Sequence, residues 1–343
     1  MFLAFSAFFS KIITRDVFLE KEVCDTCISN GRLFYTFLKI AIPVMLSSSL
    51  LSMSSMLDTL IVIRRLRDVG LAEEAAVALY GNYTAYCVTL FNLPPVLIYP
   101  IVNALIPSLS AARAVNNREK TRLLMLKSLK LASVIALPCA FGLAAMSRPI
   151  LKLIFSNQQS AEMAAPLLSA LAPSVFLIGI LAVTNGVLQA CKLQKYSLIS
   201  MAAGAIVKGV SAYLLVGVPV GETTLNMYAS PISTFLFYLT ITVLNFYFIV
   251  RYAGVGVPVV SIFVRPFVSA ICCAVSAVAF YGLIGNSVGY SRILTLASIA
   301  FAAVVYGVTL LLLGGITKED IRLIPKAERL LKIPILNKLV KEK

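Results

Sequence analysis

Eight apolar runs of about 20 residues each dominate this chain, and that is the length a helix needs to cross a hydrocarbon core. They fall at 37–63, 82–111, 125–146, 166–190, 196–217, 226–249, 260–284 and 292–314. Membrane-spanning strands would instead alternate apolar and polar residues over segments of about ten. Only 13% of the residues are charged, against about 25% in an ordinary soluble domain. The expectation is an all-α integral membrane protein with about eight transmembrane helices.

The distribution of basic residues sets an expected orientation, because cytoplasmic loops carry the excess of Lys and Arg. Eight spans put both ends on one side. Arg64, Arg65, Arg67, Arg148, Lys152 and Arg292 fall on the opposite side, and Lys208 falls inside a span. The remainder of the 30 Lys and Arg lie on the side of the termini. Both termini are therefore expected in the cytoplasm of a multi-pass cell-membrane protein. The net charge of +15 is explained by topology, and nucleic acid is not an expected partner.

Residues 1–36 read as an N-terminal stub followed by a cytoplasmic loop. Residues 1–9 are apolar but too short to span, and the features of a signal peptide are missing around them. The segment SRPILKLIF between the third and fourth spans is also too short to cross, and suits the membrane surface. Residues 317–343 form a basic tail mixing Lys and Arg with Ile and Leu, suited to an anionic leaflet.

The chain has no histidine and no tryptophan. That removes His-based acid/base catalysis and His-ligated metals, and leaves the 14 tyrosines to form any aromatic belt. Cys24 and Cys27 make a lone CxxC without the further ligands a zinc site requires. The other cysteines sit in or beside apolar runs as small hydrophobes. No phosphate-binding loop, carboxylate pair or nucleophile–base set is present, so neither an enzyme nor a cofactor is expected.

Polar residues inside the spans are the informative exceptions. On an ideal helix Asn82, Thr89, Asn92, Tyr99, Asn103 and Ser110 share an arc of about 100°. Such a stripe serves either interhelical hydrogen bonding or the lining of a watery cavity. In the first span Ser47, Ser54, Asp58 and Arg65 share an arc of about 40°. Asp58 is either a substrate, proton or cation site, or a carboxylate paired with an arginine near the interface. Lys208 lies halfway along its span, where reaching either surface is awkward, and shares a face with Ser197, Ser200, Gly204 and Ser211. It is expected to face a cavity or an acidic partner, and Asp58 is the other ionisable residue well inside a span. In the fourth span Ser174, Asn185 and Gln189 read first as packing contacts.

Tyr80-Gly81, Leu93-Pro94 and Leu105-Ile106-Pro107 on one span, Pro43 and Asp58 on the span before it, and Lys208 further on together resemble the flippase superfamily for multidrug, oligosaccharidyl-lipid and polysaccharide substrates, in its branch of stage V sporulation protein B and polysaccharide exporters. The stretch YGNYTAYCVTLFNLPPVLIYPIVNALIPSLSAA carries Tyr80-Gly81, Leu93-Pro94 and Leu105-Ile106-Pro107 where that branch has similar residues. IAIPVMLSSSLLSMSSMLDTLIV is similar in placing Pro43 early and Asp58 late. AVTNGVLQACKLQKYSL, the following Lys208, and GGITKEDIRLIPKAERLL continue the resemblance across residues 40–331.

The resemblance implies a six-helix C-terminal lobe (37–250) followed by two extra transmembrane helices (251–316), with no counterpart of a first lobe. The end of that lobe's last helix would lie in residues 1–9, and the interlobe loop around Cys24–Gly31. It further implies translocation of an isoprenoid-diphosphate-linked saccharide, a cell-wall or polysaccharide precursor, by alternating access. Lys208, Arg64 and Arg65 would contact the diphosphate, Asn92, Tyr99 and Asn103 the sugar, and Asp58 would couple an ion. The extra helices would shelter the lipid tail. A separate first-lobe chain or a second copy of this chain would complete the machine, with membrane lipids around it. The alternatives are a cation-coupled multidrug exporter using Asp58, which calls for a net negative cavity, and a non-transporting scaffold or truncated gene product.

Overall fold

The structure is a computed structural model that describes residues 30–216, 227–254, 259–288 and 291–314. It divides into two compact units, Met1–Ile42 and Pro43–Lys343, and every side chain discussed below belongs to the second. The CxxC, residues 1–9 and the basic tail lie outside the described residues.

Most of the described residues are helical, in the order α1 (Asn30–Asp68), α2 (Glu73–Asn82), a π-helical turn (Tyr83–Val88), α3 (Thr89–Phe91), α4 (Leu93–Ala114), α5 (Arg118–Ala145), α6 (Ser147–Ile154) and α7 (Gln158–Leu171). There follow α8 (Pro173–Ala190), α9 (Gln194–Val216), α10 (Ala229–Phe248) with a second π turn (Ile249–Ala253), α11 (Val259–Val288) and α12 (Arg292–Leu312). Among the described residues seven helices are long and apolar enough to cross a membrane. They coincide with the last seven expected spans, and the first expected span lies on α1.

The helix α8 is the hub. It packs against α4, α5, α10 and, less extensively, α7 and α9. In its spanning portion 78% of the residues are buried, against 28% in α11 and α12. A helix apolar on all sides belongs in the interior of a bundle, and α8 is apolar on all sides except for Ser174, Thr184, Asn185 and Gln189. On one flank α9 pairs with α10; on the other α11 pairs with α5 and with α12. One core cluster, with Leu66, Tyr83, Leu168 and Ile241, joins α1, the first π turn, α7 and α10. A second, with Ile98, Met125, Leu129 and Leu188, joins α4, α5 and α8.

Small residues set how closely these helices approach, as is usual where lipid offers no hydrophobic drive between them. A Cβ on Gly204 of α9 would lie 2.5 Å from Ile241 Cγ1 on α10. A Cβ on Gly186 of α8 would lie 2.9 Å from Val102 Cγ1 on α4. Both glycines are required by close approach rather than by backbone conformation.

The Pro-rich run is not one ideal helix. From Glu73 to Ala114 it is a 42-residue apolar span interrupted twice. The π turn at Tyr83–Val88 adds a residue to its turn, which offsets side chains before and after it by about 100°. The helix then breaks at Asn92 (φ −81°, ψ −9°), with Pro94 in the first turn of α4. A proline in that turn has no amide hydrogen to lose, so the sequence Asn92-Leu93-Pro94-Pro95 ends one helix and starts another. Asn82 and Asn92 consequently point to different surroundings.

Candidate functional site

Asp58 and Lys208 come together. The carboxylate on α1 and the ammonium on α9 are 3.5 Å apart (Oδ2 to Nζ), with 5% and 8% of their residue surfaces exposed. Ser230 Oγ of α10 donates to the same carboxylate oxygen at 3.2 Å, while Asp58 Oδ1 has no hydrogen-bond partner. The Lys208 ammonium also lies over the Phe237 ring, 5.6 Å from its centroid, a cation–π contact. Close packing at Gly204, one turn before Lys208, holds the ammonium against α10. Ser211 Oγ donates to the Lys208 carbonyl at 3.1 Å.

Burying either charge alone in a membrane helix costs about 2.5–3.5 kcal/mol on insertion scales. Pairing offsets part of that cost, and a cavity supplies the rest of the polar surroundings. The pair borders a cavity of ≈ 290 Å³ whose wall also includes Ser54, Tyr83, Asn92 and Tyr99. Tyr80 lines it as well, and its hydroxyl accepts from Thr59 Oγ1 at 3.1 Å. The π turn is where Tyr83 and Thr84 enter this wall, consistent with the tendency of π turns to sit at functional sites.

A second cavity of ≈ 180 Å³ adjoins it, lined by Asn103, Asn185, Gly186 and Gln189. Tyr99, Ile178 and Tyr238 belong to both walls. Together they make a polar track that runs from the Asp58–Lys208 pair along α4 and α8. Asn92 and Asn103 are exposed and Tyr99 is 41% exposed, so the track is open on the α4 side.

The expected stripe therefore divides. Asn92, Tyr99 and Asn103 line the track. Asn82, before the π turn, donates from Nδ2 to the Ser160 carbonyl of α7 at 3.3 Å, an interhelical bond. Thr89 and Ser110 line neither cavity. In the first span Ser54 joins Asp58 at the cavity, whereas the Ser47 side chain lies outside the described residues.

Arg64 and Arg65 stand apart from the pair. Arg65 Nε donates to the Tyr213 carbonyl at 3.2 Å, its guanidinium stacks 4.2 Å from the Tyr213 ring, and Nη1 meets Asp68 at 3.4 Å. Arg64 lines a separate cleft with Arg67, Asp68 and Glu73.

Asn185 combines both expected roles. Its Oδ1 accepts from Ser197 Oγ at 2.9 Å and from Asn245 Nδ2 at 2.8 Å, and the latter amide also donates to Thr184 Oγ1 at 3.2 Å. This network ties α8, α9 and α10 beside the track. Asn245, a lone amide in the aromatic run FLFYLTITVLNFYF, gave no local signal of this part.

A helical bundle in which, among the described residues, a buried ion pair opens to an intramembrane cavity suits a membrane transporter, and the family comparison agrees. The MatE family model matches residues 43–214, just over half of the chain, and the chain belongs to that family, whose members are transporters rather than enzymes. Over 306 residues the chain is 22% identical to stage V sporulation protein B of Bacillus subtilis (strain 168), covering 89% of this chain. It spans 57% of that relative's length. A solved structure of a MOP superfamily transporter from Pyrococcus furiosus is 13% identical, with a TM-score of 0.49 covering 84% of this chain and 66% of that one.

Proposed function

We propose that this chain forms one side of a translocation pathway for an isoprenoid-diphosphate-linked saccharide, a precursor of cell wall or polysaccharide, working by alternating access in the cell membrane with both termini cytoplasmic. The observation that carries the reading is the buried Asp58–Lys208 pair at the head of an open polar track. A diphosphate entering the cavity competes with the Asp58 carboxylate for the Lys208 ammonium. A proton or cation arriving at Asp58, whose Oδ1 is unpartnered, weakens the pair and frees Lys208 for the anion. Anion binding and ion binding are then linked through one contact, which is the thermodynamic requirement for coupling.

Asn92, Tyr99 and Asn103 supply the amides and hydroxyl suited to sugar hydroxyls. Arg64 and Arg65, about two turns beyond Asp58 on α1, meet the diphosphate as it leaves the membrane. The apolar outer faces of α11 and α12 accommodate the isoprenoid tail. The open face of the track calls for a second wall, which further helices packed against the α4 side would supply. The similarity to stage V sporulation protein B suggests a setting in spore formation. Export of organic cations is less well supported, since the one carboxylate of the cavity is matched by an ammonium.

The test is binding of farnesyl diphosphate to the purified chain in detergent, compared with farnesol. Diphosphate-dependent binding that falls about tenfold in Lys208→Met, the loss of roughly one charge-assisted contact, supports the reading. Equal binding of the alcohol and the diphosphate removes it.

A further inference from the structure

A larger cavity lies away from this pathway. Its volume is ≈ 950 Å³, and it is an open cleft lined by the junction of α5 and α6, by α7, and by parts of α11 and α12. It shares no lining residue with the Asp58–Lys208 cavity. Three cations line it: Arg148 and Lys152 from α6, and Arg292 from the start of α12.

Their position is unexpected on topological grounds. Helix connectivity places all three on the face of the membrane that is poor in Lys and Arg, where the orientation rule asks for few. The basic residues of that face resolve into two groups. Arg64 and Arg67 share their cleft with Asp68 and Glu73, Arg67 meets Glu73 and Arg65 meets Asp68, so carboxylates stand among the cations there. Around the larger cavity the described carboxylate in contact is Glu162, which pairs with Lys152 at 2.5 Å. Arg148 and Arg292, brought together from segments far apart in sequence, leave an excess of positive charge.

The remainder of the lining is apolar or amphipathic, including Leu153, Val278 and Tyr281. Val278 in the lining is itself 49% exposed on the spanning helix α11, so the apolar wall opens toward hydrocarbon. An occupant that satisfies both parts has an anionic head at the level of the arginines and an acyl chain along α11 and α12. Arginine forks suit phosphate oxygens through paired hydrogen bonds.

We propose that this cavity binds the phosphate headgroup of an anionic membrane lipid, which bridges the C-terminal helix pair α11–α12 to α6 of the main bundle. Apart from its pairing with α11, the principal packing of α12 is on α6. A lipid held by Arg148 and Arg292 together fastens that joint.

The experiment uses the full chain in detergent, titrated with phosphatidylglycerol, with diacylglycerol and with inorganic phosphate, and read by native mass spectrometry. The expected result is selective retention of phosphatidylglycerol. Arg148→Gln/Arg292→Gln lowers that affinity by about tenfold or more, as loss of charge-assisted contacts requires. Arg118→Gln/Lys120→Gln, an equal charge change on the opposite face, leaves it unchanged. Glu162→Gln, which releases Lys152, raises it. Unaltered phosphatidylglycerol binding in the Arg148/Arg292 variant overturns the proposal, as does binding of diacylglycerol, or of phosphate alone, with equal strength. Should that double variant fail to fold, Glu162→Gln decides: affinity no higher than that of the original protein overturns the proposal.

Discussion

Removing Lys208 alone should damage the protein more than removing Lys208 and Asp58 together. The charges are 3.5 Å apart, which at an effective dielectric of about 20 corresponds to roughly 5 kcal/mol of attraction. Both side chains are largely withdrawn from solvent, at 10% and 6% exposure, so bulk screening takes only part of that. Lys208→Met keeps most of the length of the side chain but strands the carboxylate, with one oxygen bonded to Ser230 and the other unpartnered. Breaking a buried pair in this way costs about 3–5 kcal/mol, whereas replacing both partners is often neutral or better. The double variant Asp58→Asn/Lys208→Met should therefore recover most of the loss, with a coupling of about 3 kcal/mol in the cycle. Unfolding by sodium dodecyl sulfate in mixed micelles measures each corner. Single losses that add to within about 0.5 kcal/mol would refute the account of the pair.

Gly204→Ala should cost about 1–3 kcal/mol, the usual penalty of overpacking, because its Cβ meets Ile241 at 2.5 Å; the thermal midpoint in detergent reports it. Asn245→Leu should cost about 0.6–2 kcal/mol, since it removes the donor shared by Asn185 and Thr184, and Asn185→Leu/Asn245→Leu should cost less than the sum of the singles. Arg65→Lys should weaken the α1–α9 contact by about 1 kcal/mol through lost stacking on Tyr213, read by the same unfolding measurement. The Lys152 hydrogen bond and charge hold the Glu162 carboxyl below its usual range. The pair therefore contributes fully above the carboxyl's unfolded value and is lost as pH falls through the lowered folded one, which an NMR titration of Glu162 would follow.

Much of this architecture can be read directly from the chain, because hydrocarbon permits few solutions. Runs of about 20 apolar residues must be helices, and the seven spans among the described residues follow them closely. Lys208 declared itself by sitting too deep to reach water. Its partner did not, since joining Asp58 to Lys208 depends on how α1, α9 and α10 pack. The stripe on the Pro-rich span was legible only in part. It assumed a uniform helical period, and the π turn together with the break at Asn92 rotates Asn82 away from Asn92, Tyr99 and Asn103. Arg148, Lys152 and Arg292 each resemble ordinary loop charges in sequence, and only the fold gathers them. Asn245 was hidden for a similar reason: a single amide in an aromatic run carries no periodic signal.

The central claim is that Lys208, freed from Asp58, receives the anionic part of a lipid-linked substrate. Farnesyl diphosphate binding to the original protein, Lys208→Met and Asp58→Asn tests it most directly. The account predicts weaker binding in Lys208→Met and tighter binding in Asp58→Asn, where the ammonium has lost its competitor. Affinity that is unchanged in both variants, or that falls equally in both, would contradict it.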